Sequence, residues 1–269
     1  MKPQQMNNKP SILISPKYAP ISQEKSRYFI VTGGRGSSKS FSIASLLTLL
    51  TCEAGHKILF TRYTMTSAEI SIIPEFLEKI DLMGLKEYFH ITKNEIVNQT
   101  TGSKILFRGI KTSSGDQSAN LKSLQGITTF VVEEADELVD EDTFDKIDLS
   151  VRQKGIQNRV ILVMNPATKE HWIYKRFFEQ SGVREGFNGV KNNVTYIHTT
   201  YQDNVENLDE SFLNEIQRIK INNPKKYQHV IMGGWLDKAE GVVFTNWKYG
   251  EFNPNKLQTS FGQDYGFSI

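Results

Sequence analysis

Residues 33–40 read GGRGSSKS, between the β-rich run YFIVT at 28–32 and the apolar stretch FSIASLLTLLTCEAG at 41–55. A glycine-rich turn from strand to helix points successive backbone N–H groups, from Gly33, Gly34, Arg35, Gly36, Ser37 and Ser38, at one small volume. The positive end of the helix lies behind it. That volume suits phosphate oxygens, with Lys39 on the β- and γ-phosphates and the Ser40 hydroxyl on Mg²⁺. The spacing is that of G-x-x-x-x-G-K-S, with Ser38 in place of the second glycine. Such a loop commits the chain to an α/β fold, because it works only where a buried parallel strand hands over to a helix.

The rest of the chain keeps that alternation. KILFTR (57–62) reads as a buried strand, and 67–83 as a helix with Ile70, Ile73, Leu77 and Ile80 on one face. EIVNQTTGSKILFRG (95–109) predicts a hairpin inserted after the second unit, and the small polar residues 111–126 a mobile loop. TTFVVEEAD (128–136) is a strand with acids at its C-terminal edge, followed by a helix from Glu141 carrying Phe144, Ile147 and Val151. RVILVMNP (159–166) and VTYIHTTY (194–201) complete a set of five core strands, and the helix after the loop is expected to end near Gly55. The domains expected are an arm at 1–26, a core at 27–205, a helical lid at 206–236 broken at Asn223-Pro224, a linker at 237–260 and a new strand at 261–269.

At the end of an apolar strand, Glu133 is placed to hold the Mg²⁺ shell and Glu134 to orient and deprotonate an attacking water. Arg35, inside the loop, either neutralises charge on the γ-phosphate or pairs with a neighbouring acid. Asn165, ending the next strand, can touch both the γ-phosphate and the moving part of the domain. The acid run Asp136–Asp142 reads as a solvated helix start. Tyr18 and Gln23 either face an adenine ring or simply pack.

With 32 basic against 30 acidic residues the chain is nearly neutral, so any nucleic-acid contact must be a local patch. Arg108, Lys111, Lys122 and the Lys225-Lys226 pair are the candidates, and Lys122 could reach a neighbouring subunit's nucleotide. No run of about 18 apolar residues calls for a membrane. The single cysteine, Cys52, is expected in the core, and the five histidines are scattered without the short spacings metal sites need, so no structural zinc is expected.

GGRGSSKS, VVEEADE, VMNPATKEHWIYKRFF, HTTYQDN, GGWLDKAEGVVFTNW and GQDYGFS, taken in this order, resemble the large terminase subunit of tailed bacteriophages. The resemblance implies an additional-strand, RecA-like P-loop NTPase with a small lid, hydrolysing ATP with Mg²⁺ to drive double-stranded DNA through a portal protein. It further implies a homo-oligomeric ring, usually of five subunits, fed by a small terminase subunit in the host cytoplasm at the procapsid. By position Lys39 and Ser40 match the Walker A pair, Glu133 and Glu134 the Walker B acid and catalytic glutamate, and Asn165 the coupling motif. Asp264 matches the first metal-binding aspartate of an RNase H-like nuclease. One carboxylate cannot build a two-metal site, so no nuclease activity is expected of residues 1–269. A helicase-like ATPase and an ATP-binding assembly module are the rival readings.

Overall fold

The computed structural model describes residues 12–64, 68–112, 115–116, 124–237 and 253. Its frame is a twisted sheet in the order β3-β4-β5-β2-β7-β8-β1-β10-β9, with β6 (Gly115–Asp116) paired to β5. The middle six strands are parallel: β5 (Lys104–Thr112), β2 (Lys57–Thr64), β7 (Thr129–Glu133), β8 (Arg159–Met164), β1 (Tyr28–Gly33) and β10 (Val194–Thr199). Short antiparallel strands close both margins, β3 (Phe89–Ile91) with β4 (Glu95–Asn98) on one and β9 (Gly189–Lys191) on the other. Strand β8 intervenes between β1 and β7, which is the additional-strand, RecA-like arrangement.

Every residue of β7 and β8 is buried, as expected of parallel strands covered on both faces. On one face the short helix α1 (Pro20–Gln23), α2 (Lys39–Leu50) and α3 (Ala68–Leu82) cover Phe29, Val31, Val131 and Ile161. On the other, Phe144, Trp172, Phe177 and Trp235 cover Ile30, Phe130, Val132 and Leu162. A third cluster, Tyr201, Ile216, Tyr227 and Ile231, forms within the C-terminal helices, of which Glu210–Asn222 is the longest. The break at Asn223-Pro224 is present, with the Asn223 side chain capping the turn that follows.

Four details depart from the sequence reading. The second arm of the hairpin is no insertion: β5 pairs along its length with β2 and belongs to the main sheet. Helix α2 stops at Leu50, and a turn carries the chain to Gly55, whose φ of +91° favours glycine. On α3 the buried stripe is Ile72, Ile73, Phe76 and Ile80, while Ile70 is 80% exposed. Phe76 decides the rotation by packing edge-on to Phe60 and Phe107 at 5.4 and 5.2 Å. Cys52 is exposed on the turn after α2, not in the core. The chain separates into two units at Lys238, and Asn253 is the one described residue of the second.

Candidate nucleotide site

The phosphate loop is held from behind by backbone. A Cβ on Gly33 would come within 2.1 Å of Thr199 O, and one on Gly34 within 1.8 Å of Ile231 O, so neither position admits a side chain. Arg35 N–H donates to Val230 O at 2.9 Å, and the Asn204 amide donates to Gly36 O at 2.9 Å. The loop is thereby bonded to the C-terminal helices as well as to its own strand. Ser37 is buried and its hydroxyl donates to Gly34 O at 2.7 Å. Ser38 takes the left-handed conformation, φ 58° and ψ 22°, that glycine would hold at that place.

Lys39 opens α2 and its ammonium turns back over the loop. It donates to Gly33 O and Gly34 O at 2.9 Å, Ser37 Oγ at 3.1 Å and Asn165 Oδ1 at 2.8 Å. Four acceptors share three protons, so at least one proton is divided between two of them. Burial pushes the Lys39 pKa down to about 8, with Arg35 adding to the effect and Asp136 and Glu133 opposing it. Asn165, predicted as a coupling residue, is thus in contact with the loop lysine.

The acidic edge faces this lysine across the same cleft. Glu133 is buried and receives Arg62 from the neighbouring strand β2, Nη2 at 2.7 Å and Nε at 2.8 Å from the same carboxylate oxygen. Glu134 follows in the left-handed region, φ 54°, which turns its half-exposed carboxylate out of the strand line and leaves it 3.8 Å from Arg62. Burial, with Glu133 close by, raises the Glu75 carboxyl pKa, and burial likewise raises that of Asp136. Asp136 is half-buried in the short turn Ala135–Glu137, and the helix Glu141–Asp148 is capped later, by Asp140. One cleft of about 540 Å³ is lined by residues 34–41, Glu133, Glu134 and Asn165, with Phe212 closing it from the C-terminal helices.

Arg62 is the functional candidate that sequence reasoning missed. The only available signal was that KILFTR ends in a cation at the strand edge that the acids also occupy. Of the other residues singled out, Arg35 is exposed in the cleft wall and has no ion pair among the described residues. Tyr18 faces no open ring site: it is fully buried, with its hydroxyl on Ser37 O at 3.0 Å and Thr199 Oγ1 at 2.7 Å, and it supports the loop from below. Gln23 is exposed. Arg108 folds back on Phe107 O, and Lys111 lies 5.8 Å from the Tyr63 ring. Lys225 and Lys226 are exposed. Lys122 and Asp264 lie outside the described residues. Among those described, no helix is long and apolar enough to cross a membrane.

The family model for the phage terminase large subunit matches residues 25–234. The large terminase subunit of Bacillus phage SPP1 is 27% identical over 226 residues, 80% of this chain and 50% of that protein. The large terminase of a thermophilic bacteriophage, solved in complex with ADP, superposes with a TM-score of 0.63 at 13% identity, over 83% of this chain and 54% of that one. The ATPase domain of the Thermus phage P74-26 large terminase gives 0.57 at 16% identity, over 84% of this chain and 94% of that domain. The chain spans about half the length of the curated relative it matches. At these identities the two structures speak for the fold, while the family model, which spans most of the sequence, speaks for descent: the chain belongs to the phage terminase large subunit family.

Proposed function

We propose that this chain is the ATP-hydrolysing motor part of a terminase large subunit, whose whole protein drives double-stranded viral DNA through a portal into the procapsid. The observation that carries the reading is the single cleft onto which the phosphate loop, Ser40, Glu133, Glu134 and Asn165 all open. Its hard oxygen donors, Ser40 Oγ and the Glu133 carboxylate, fit Mg²⁺. Mg²⁺ takes few protein ligands and keeps several waters. When bound, Mg²⁺ supplies charge neutralisation across the phosphates.

The chain's own groups do the rest. Lys39 exchanges its loop carbonyls and Asn165 for phosphate oxygens. Glu134 accepts a proton from a water as that water's oxygen bonds to the γ-phosphorus and the bond to the bridging oxygen breaks, releasing ADP. Arg35, exposed and without an acid partner among the described residues, stabilises charge on the phosphoryl group. Release of Asn165 from Lys39 is read out through the Arg35–Val230 and Asn204–Gly36 bonds, so residues 206–236 serve as the lid that moves. A ring of about five subunits, a portal protein and a small terminase subunit complete the machine, with Lys122 available to a neighbour's site.

Steady-state hydrolysis across a range of protein concentrations tests this. Glu134→Gln is expected to bind ATP while turnover falls by about 10²–10⁴, and Lys39→Ala to lose binding. Unchanged hydrolysis in Glu134→Gln would sink the assignment. ATP binding by the unaltered chain without turnover at any concentration would favour the assembly module instead.

A further inference from the structure

At the foot of the sheet, opposite the phosphate loop, β2, β7 and β8 begin side by side. Ile58 is registered with Thr129, and Thr129 with Arg159. Counting back by two from Ile58, Val131 and Ile161 places His56, Thr129 and Arg159 on the sheet face that α2 covers. All three are more than nine-tenths buried, at 5%, 0% and 6% exposure. Among the described residues four of their polar atoms have no hydrogen-bond partner: His56 Nδ1, Thr129 Oγ1, and Nε and Nη1 of Arg159. Nη2 of Arg159 donates to Gln157 Oε1 at 2.8 Å, which supplies no charge.

A guanidinium cannot escape burial by losing its proton, so it must be matched by an anion or by many acceptors. Among the described residues no carboxylate pairs with Arg159. The acid that acts on it, Glu53, is 77% exposed at its side chain and faces His56 Nε2 at 3.5 Å. Orphaned polar groups are rare in folded proteins, and here four occur at the starts of three neighbouring strands, His56 just before β2.

We propose that this corner binds a small monovalent anion of the chloride class, held by Arg159 Nε–H and Nη1–H and by the Thr129 hydroxyl. Full burial of Thr129 favours a small ion over a bulky phosphate ester. A water would use the same donors but leave the guanidinium charge unmatched.

Two measurements on the full chain test this, and neither depends on ATP turnover. At constant ionic strength, replacing gluconate, too large to enter, by chloride should raise the melting midpoint by about 3 °C, and Arg159→Met should abolish the difference. Crystals soaked in bromide should give an anomalous peak within hydrogen-bond reach of Arg159 Nε or Nη1. That map decides the case even if Arg159→Met fails to fold: a peak sustains the site, and a water or no density there overturns it.

Discussion

The two walls of the nucleotide cleft are built on different physics. The phosphate-loop wall is fixed by main chain: Gly33 against Thr199, Gly34 against Ile231, and the Arg35–Val230 bond. The acidic wall is fixed by side-chain charge, with Glu133 buried and held by Arg62. A backbone lock tolerates no added atom but is indifferent to charge. A charge lock tolerates volume but fails when one partner is neutralised. The first wall therefore follows the C-terminal helices as one body with them, while the second can respond when charge enters the cleft.

The sharpest way to break this contrast is Gly34→Ala. The new methyl would overlap Ile231 O and C, at 1.8 and 2.3 Å, and a main chain tied at both ends cannot swing aside. We expect a loss of about 3 kcal/mol or more in denaturant unfolding, with nucleotide binding lost in whatever remains folded. Near-native stability would mean that the C-terminal helices yield and the loop is not locked by them.

Arg62→Met tests the opposite wall. It keeps the packing volume and strands the Glu133 carboxylate, 6% exposed at its side chain, without its cation. The expected cost is about 3 kcal/mol. Adding Glu133→Gln to that variant should return a measurable part of it, since an uncharged amide is cheaper to bury. If the second substitution costs further stability, the pair is not what holds this wall.

How far each wall could be read from the sequence follows from the same division. GGRGSSKS fixes its own backbone locally, and the alternation around it sufficed for an α/β fold with five core strands. The charge lock depends on β2 lying beside β7, a matter of strand order that no spacing within KILFTR or FVVEE encodes, so the cation ending KILFTR carried no sign of its partner. The expected hairpin is present, β4 pairing antiparallel with β5, but strand order places its second arm, β5, in the main sheet beside β2. On α3 the apolar residues allow two overlapping stripes, and contact with Phe60 and Phe107 chose the one containing Phe76.

Ser38 is the one place where a side-chain choice works against the backbone lock, and it yields the smallest and most discriminating prediction. A left-handed serine costs about 1–2 kcal/mol relative to an unstrained residue. Glycine removes that strain but loses about 0.5–1 kcal/mol to the greater freedom of the unfolded chain. The Ser38 hydroxyl makes no cap bond to α2, and its contact with Ser42 Oγ is long, at 3.4 Å. Ser38→Gly should therefore raise stability by about 0.5 kcal/mol, a change of roughly 1–2 °C in the melting midpoint. A fall instead would show that this hydroxyl, which lies beside the buried Tyr18, secures the loop by more than backbone geometry. The phosphate-loop wall would then depend on side chains as the acidic wall does, and the contrast between them would narrow to the glycines alone.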